Sequence, residues 1–383
     1  MESKVVERSL SDDTSRFQSL FRIPVDVSRF SARGTYSFTG RVVFGLGGLA
    51  LTLAFDDGVR WVARLRMPPI GSSDAFENSN ESIEAMETCE YNTISLVRQK
   101  TSIPIPEVHS IEARWDCDVK APFMLMDCLP GNVGIMDLGM KVPPGFKPKF
   151  LRRLAQMHVQ LATVQLPMIG TILSRNEDGT YRQGPIPGLG GPFNTATEFF
   201  KAWAAKTTFG MTDEHLRTAS GQYADDIIPS VSSFPKSIGD LAPKLSARDH
   251  GPFPLCHGDF GHNNIIVDDE YRVLGLIDWE ASFSAPWEIF ADFPLTLSMV
   301  PPAIDVPWNY NEQGDPVTDE LKQQLADQKT YVAAVKEAED SKGTGNLLSE
   351  ALNDCKRQQL ATAMRLYQRG KVGWYSKLTD EFA

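Results

Sequence analysis

The residues best suited to chemistry lie in one run, Leu255-Cys256-His257-Gly258-Asp259-Phe260-Gly261-His262-Asn263-Asn264-Ile265-Ile266-Val267. Asn264 follows Asp259 by five residues, and Asp278 follows it by nineteen, inside Leu276-Ile277-Asp278-Trp279-Glu280. Between them, Val267-Asp268-Asp269-Glu270-Tyr271-Arg272-Val273-Leu274 reads as a strand, an acidic turn and a second strand. Moving a γ-phosphoryl group calls for a carboxylate near the acceptor hydroxyl and for oxygen ligands to a Mg2+ that bridges the phosphates. Asp259 is placed to be that carboxylate. Asn264 and Asp278, at the two ends of a hairpin, are placed to be the metal ligands. His257 is expected to buttress the loop, and His262 to be a solvated loop residue.

His-Gly-Asp-x-x-x-x-Asn followed by an apolar strand and Asp resembles the catalytic and metal-binding loops of the aminoglycoside phosphotransferase and choline kinase-like family. That family belongs to the protein-kinase-like superfamily, which shares the His-x-Asp-x-x-x-x-Asn core. Gly258 where protein kinases have arginine, and Asp-Trp-Glu in place of Asp-Phe-Gly, point to the small-molecule branch. No Ala-Pro-Glu segment follows Asp278, which argues against a protein kinase. The resemblance runs from about Val42 to Asp292 and is most specific over residues 255–280. It implies an α+β, protein-kinase-like fold of two lobes, a small β-rich N-lobe and a larger α-helical C-lobe. It also implies an ATP- or GTP-dependent phosphotransferase that acts with Mg2+ on a hydroxyl of a small molecule.

The N-terminal part supplies further candidates. Trp61-Val62-Ala63-Arg64 stands where the superfamily has Val-Ala-x-Lys on its third strand, and eukaryotic relatives carry Trp-x-Ala-Arg there. Side chains alternate along a strand, so Val62 and Arg64 share a face, Val62 to roof a purine and Arg64 to reach phosphates. Arg66 shares that face. In the helical run after it, Ile83, Met86, Ile94 and Val97 form a stripe centred on Glu90. A carboxylate at the middle of a buried face needs a cation, which makes Arg64 its expected partner. Glu84 and Glu87 are expected to face solvent. Gly45-Leu46-Gly47-Gly48 resembles the loop that covers the phosphates, because glycine lets backbone N–H groups approach an anion. Met126 to Leu129, including Cys128, is the expected hinge for the nucleobase, with Cys128 a packed thiol. Asp292 is read as an anchor for the catalytic-loop backbone. Gly188-Leu189-Gly190-Gly191 has no strand running into it and reads as an insertion on the acceptor side.

These residues need elements to hold them. Leu49, Leu51, Leu53 and Phe55 alternate, Asp57-Gly58 turns the chain, and Val59 to Leu65 returns it, which is a hairpin pattern. A helix is expected from Ser82 to Lys100, ended by Pro104 and Pro106. Pro122 to Met126 is a short buried strand, with Leu129-Pro130-Gly131 as linker. Beyond it the chain is mainly helical. Leu151, Leu154, Ala155, His158 and Leu161 form one stripe, Thr195 and Glu198 offer a capping box, and long helices are expected over 319–339 and 347–369. The resulting division is a lead-in over 1–30, an N-lobe over 31–128 and a C-lobe over 129–383.

Composition sets outer limits. The chain has 383 residues, 42% apolar and 23% charged, with net charge −11. That charge argues against nucleic acid or anionic membrane as a partner; the resemblance implies a nucleotide and a small-molecule hydroxyl acceptor. From the charged, polar opening residues no secretory leader is expected, and Val42 to Phe55 is too short to span a bilayer as a helix. Five cysteines without paired spacing suit reduced thiols in the cytoplasm. A monomer or weak dimer is expected. Arginine at the lysine position leaves one alternative, a catalytically weak pseudokinase that binds nucleotide or a partner protein.

Overall fold

The computed structural model describes residues 36–38, 43–44, 48–55, 57–66, 80–133, 142–311 and 313–382. The lead-in over 1–30 and three residues of the glycine-rich run, Gly45, Leu46 and Gly47, lie outside them, and Gly48 opens a strand.

The chain begins with β1 (Tyr36–Phe38), β2 (Val43–Phe44), β3 (Gly48–Phe55) and β4 (Arg60–Arg66), followed by α1 (Asn80–Lys100). β5 (Val108–Glu112) and β6 (Phe123–Asp127) complete an antiparallel sheet of order β1-β3-β4-β6-β5, with β2 on the edge of β3. The Asp57-Gly58 turn closes the β3–β4 hairpin, where Gly58 takes a φ of 83° that suits glycine. On β4 the alternation is plain. Trp61, Ala63 and Leu65 are buried, while Val62, Arg64 and Arg66 share the other, half-buried face. β7 (Asn132–Val133) leads into the second lobe.

That lobe contains α2 (Lys147–Thr163), β8 (Gln165–Leu166), β9 (Thr171–Arg175), β10 (Tyr181–Gly184), α3 (Ala196–Lys206), α4 (Asp213–Ser220) and α5 (Ala224–Leu245). It continues with β11 (Phe253–Cys256), β12 (Ile265–Val267), β13 (Val273–Leu276), β14 (Phe283–Ser284), α6 (Trp287–Phe290), α7 (Asp319–Lys342), α8 (Leu347–Asn353), α9 (Cys355–Gln368) and α10 (Ser376–Asp380). A small β-rich lobe and a larger, mainly helical one make the α+β architecture expected. Thr195 caps α3 by accepting from the Glu198 N–H, although the Glu198 carboxylate takes the Asn194 N–H, one residue outside a capping box. The helix expected over 347–369 is two helices. Asp354 ends α8, and its carboxylate caps α9 by accepting from the Arg357 N–H. Pro229, Pro235 and Pro243 lie inside α5, whose apolar face, Ile227, Val231, Phe234 and Ile238, is buried against α3. Packing overrides their low propensity.

Two short sheets carry the chemistry-bearing loops. β11 pairs with β8 and β14, and β12 pairs with β7 and β13, all antiparallel. Residues 257–264 connect β11 to β12, and residues 277–282 connect β13 to β14. Both loops therefore start and end on strands seated on α2, whose Leu154, Ala155, Met157 and Val159 are fully buried. Each such large apolar side chain contributes about 1.5–3 kcal/mol on burial.

His158 of α2 ties this platform together. It is buried, with Nδ1 2.9 Å from the Tyr331 hydroxyl of α7 and Nε2 3.1 Å from the Phe290 carbonyl of α6. Burial pushes its pKa down to about 4, against a weaker rise from the Phe290 hydrogen bond. The folded state thus binds fewer protons there than the unfolded chain. The stability this supplies is complete above the unfolded histidine pKa of about 6.5 and is lost as pH falls towards 4, at about 1.4 kcal/mol per pH unit. Urea unfolding at pH 7 and pH 5 should show an acid loss that is smaller by about 2 kcal/mol in His158→Gln than in the parent. Equal acid losses would remove His158 from the account.

Candidate active site

The loop over 257–264 is shaped by its histidine and its glycine. The His257 ring is buried, with Nε2 3.0 Å from the Ile277 carbonyl and Nδ1 3.4 Å from the Asp259 N–H. Burial lowers its pKa to about 4, so at neutral pH it is an uncharged brace between the two loops, in the buttressing position expected. Gly258 has a φ of 82°, and a Cβ there would lie 2.1 Å from the Ala281 carbonyl oxygen. Only glycine permits this approach.

Asp259 is held by amides. Its Oδ2 accepts hydrogen bonds from Asn263 Nδ2 and from Asn264 Nδ2, the latter at 2.9 Å. Asn264 Nδ2 also donates to the Asp259 carbonyl at 2.9 Å. The Asn264 amide nitrogen is therefore committed, and its oxygen is the atom left for a ligand. Arg369, at the end of α9, brings Nη2 to 3.8 Å from Asp259 Oδ1. Neither Asn263 nor Arg369 was picked out from sequence. Asn263 was overshadowed by its neighbour, and nothing local marks Arg369. His262, expected in solvent, is buried at 8% exposure, because the loop packs down where the Leu295 N–H meets the Phe260 carbonyl.

Asp278 stands just past β13. Ile265 pairs with Leu276 and the Ile277 N–H donates to the Asn264 carbonyl at 2.9 Å, so the hairpin brings Asn264 and Asp278 to the same end. Asp278 has a φ of 65°, a left-handed conformation that is uncommon outside glycine and tolerable for aspartate. Its Oδ1 is buried and has no hydrogen-bond partner. Burial first, then the charges of Glu280, Glu90 and Asp259, outweigh the attraction of Arg64 and raise its pKa to about 6.

The cation expected for Glu90 is in place. Arg64 meets the buried Glu90 carboxylate with both guanidinium nitrogens, Nη1 at 2.9 Å from Oε1 and Nη2 on Oε2. Glu90 Oε1 also accepts from the Trp279 N–H at 3.2 Å, which ties α1 to the loop bearing Asp278. Arg64 Nη1 lies 3.7 Å from Asp278 Oδ1. Burial opposes the Arg64 charge, but Glu90, then Glu87 and Asp278, raise its pKa overall.

Glu87 corrects the expectation that it faces solvent. It is buried at 2% exposure and accepts from Arg66 Nε at 2.9 Å and Nη2 at 2.6 Å. It falls four residues after Ile83 and three before Glu90, so the buried stripe runs 83, 87, 90, 94, 97. Arg66 Nη1 in turn reaches Glu280 at 2.9 Å. Two parallel ladders result, Glu90–Arg64–Asp278 and Glu87–Arg66–Glu280. Asp292 is also reassigned. Instead of anchoring the catalytic-loop backbone, it accepts from Thr362 Oγ1 at 2.7 Å and Arg365 Nε at 2.6 Å, fastening α9.

The remaining candidates line β4 and β6. Val62 pairs in register with Met126, and the Cys128 N–H is already given to the Arg60 carbonyl at 3.1 Å. Burial raises the Cys128 thiol pKa, in keeping with a packed thiol. All five cysteines are unpaired.

Because Glu90 serves the Trp279 N–H as well as Arg64, while Glu87 meets only arginines among the described residues, the two glutamates should differ. Glu90→Gln should lower the unfolding free energy by about 3 kcal/mol or more, as for one partner of a buried ion pair, and Glu87→Gln by less. Equal losses in urea titrations would show that the ladders are equivalent.

With this geometry in view, comparisons with known proteins are informative. Residues 56–289, more than half of the chain, match the model of the phosphotransferase enzyme family (APH). Clavilactone A biosynthesis cluster protein Y of Ampulloclitocybe clavipes is 24% identical over 271 residues, which cover 65% of this chain and 62% of that protein. Among solved structures, a thermostable mutant of aminoglycoside phosphotransferase APH(4)-Ia bound to ADP and hygromycin B aligns over 97% of both chains, at 15% identity and a TM-score of 0.45. Macrolide 2'-phosphotransferase type I aligns over 99% of both, at 14% identity and a TM-score of 0.37. On the match of the family model, the chain belongs to the phosphotransferase enzyme family.

Proposed function

We propose that this protein transfers the γ-phosphoryl group of ATP or GTP to a hydroxyl of a small molecule, with Mg2+ as the accompanying cation. The observation that carries this reading is the condition of Asp278, a carboxylate at positive φ with one buried oxygen lacking any hydrogen-bond partner. Around it the ladders place four carboxylates, Glu87, Glu90, Asp278 and Glu280, against two guanidinium groups, Arg64 and Arg66. The excess is negative, and a bound cation relieves it.

The donor set fits Mg2+. One carboxylate, Asp278, and one amide oxygen, Asn264, are too few for a cation held by protein alone. They suit an ion that keeps waters and takes its other ligands from phosphates. Bound there, Mg2+ would neutralise phosphate charge as it shifts in the transition state. In this reading residues 31–128 hold the nucleotide and residues 129–383 the acceptor. Val62 and Met126, adjacent across β4 and β6, cover the purine, the backbone near Cys128 meets its edge, and Arg64 faces the phosphates. The acceptor hydroxyl donates to Asp259, whose carboxylate the amides of Asn263 and Asn264 keep in one orientation. The acceptor oxygen bonds to the γ-phosphorus, the bond from that phosphorus to the bridging oxygen breaks, and the nucleoside diphosphate leaves. The hydroxyl proton passes to Asp259. Rate comes mainly from positioning and charge neutralisation.

Two substitutions test this reading. Asp259→Asn should lower turnover by about 10²–10⁴-fold with nucleotide affinity and melting temperature nearly unchanged. Asp278→Asn should abolish the Mg2+ dependence of AMP-PNP binding. It should also raise the melting temperature of the nucleotide-free protein at pH 8. The sign follows from its pKa of about 6, above the ordinary carboxylate value. Its negative charge therefore costs stability, a penalty complete above pH 6 and absent at low pH. Undiminished Mg2+-dependent binding in Asp278→Asn would sink the metal assignment.

A further inference from the structure

Beside the loop that carries Asp259 the structure holds a cavity of about 500 Å3, and Gly258 and Phe260, which flank Asp259 in sequence, form part of its wall. That volume matches a small-molecule site. Aromatic rings from four parts of the lobe line it, Phe199, Trp203, Phe260, Phe283, Phe290 and Phe293. They are held rigidly by one another. Phe199 and Phe283 stack with centroids 6.2 Å apart, and His158 lies 4.6 Å from Phe290 and 5.6 Å from Phe260.

The charges in this wall are the deciding feature. Asp292 is the one carboxylate among the described lining residues, and both its oxygens are taken, by Thr362 and Arg365. His158 and His257 also line the cavity and are uncharged at neutral pH. The charge left in the wall is cationic, Lys206 standing exposed at the end of α3. Apart from Asp259, which the acceptor hydroxyl engages, an ammonium group entering here would lose water without gaining a free carboxylate. Flat apolar rings would instead meet aromatic faces and edges, in offset or edge-on contacts that add to the gain from their buried area.

We propose that the acceptor is an alcohol on a largely apolar ring skeleton, neutral or bearing one acidic group directed at Lys206, and not a polyamine sugar or a quaternary ammonium alcohol. This rests on the reading of Asp259 as the residue that orients the acceptor. The specificity lies in the absence of free carboxylates as much as in the presence of rings.

Binding and turnover can be separated in the full chain. Naphthylethanol and hydroxymethylnaphthoate serve as the neutral and acidic apolar alcohols, with kanamycin and choline as the cationic ones. Binding is followed by calorimetry, and turnover by release of ADP from Mg·ATP. Both naphthyl probes should bind at least about tenfold more tightly than kanamycin or choline, and only they should stimulate ADP release. Leu189→Trp, on the loop at the cavity wall, should weaken both naphthyl probes. Lys206→Glu, on the exposed end of α3, should weaken the acid about tenfold and leave the alcohol unchanged. Tighter binding of kanamycin or choline, no binding of naphthylethanol, or indifference of both naphthyl probes to Leu189→Trp overturns the acceptor class. If that happens while Mg2+-dependent AMP-PNP binding persists, phosphoryl transfer still stands. Naphthyl binding without any nucleotide binding would instead retain an apolar-ligand pocket and remove the kinase chemistry.

Discussion

The buried carboxylate of Glu90 is the constraint on which the rest of this site depends. It receives two hydrogen bonds from Arg64 and one from the Trp279 backbone, so one side chain joins α1, β4 and the loop after β13. A carboxylate at 1% exposure has no water to fall back on, and each of these contacts offsets part of its desolvation. The second ladder repeats the arrangement one step along. Strand positions 64 and 66 share a face because the strand period is two, and helix positions 87 and 90 share a face because the helix period is near 3.6. Loop positions 278 and 280 then complete each ladder. Three kinds of backbone meet in register through their charges.

An arginine suits position 64. A guanidinium is planar and carries several donors, so Arg64 grips both oxygens of Glu90 and still presents Nη1 towards Asp278. A lysine ammonium carries its three donors on one nitrogen and lacks the planar fork that matches both oxygens of one carboxylate. Helix α1 is also held from the far side. Asn92 Nδ2 donates to the Leu173 carbonyl of β9 at 3.0 Å, so the helix that sets Arg64 is fastened to the larger lobe. The lobes are thus linked through α1, by the Trp279 N–H on Glu90 and by Asn92 on Leu173.

The two loops then divide the work between rigidity and cost. Rigidity comes from the uncharged His257 brace, the Gly258 contact with Ala281, and the amides of Asn263 and Asn264 on Asp259. The cost is concentrated at Asp278, in a left-handed backbone with a buried oxygen unpartnered and neighbouring charges of its own sign. Strain and repulsion placed at one residue are expected where a ligand is to supply what the fold withholds.

Much of this could be read from local pattern. The spacing of Asp259, Asn264 and Asp278, with a hairpin between, follows from chain connectivity. So do the shared face of Val62 and Arg64, the helix centred on Glu90 and the Thr195 cap, because strand and helix periods are set by near neighbours. What needed the tertiary structure was the choice of partner. Glu87 lies on the same stripe as Glu90, yet only the position of Arg66 and Glu280 explains its burial. Asn263 and Asn264 are alike in sequence, and the fold turns both amides onto Asp259 while leaving the oxygen of Asn264 for a ligand. Arg369 reaches Asp259 and Asp292 holds Arg365 because α9 packs across α6, a contact between segments that local periodicity does not relate. The aromatic cavity is of the same kind, since its rings come from separate elements and share a wall only after the lobe is assembled. Sequence by itself determined which groups could do chemistry; long-range packing decided which charges are spent on one another and which are left to meet a substrate.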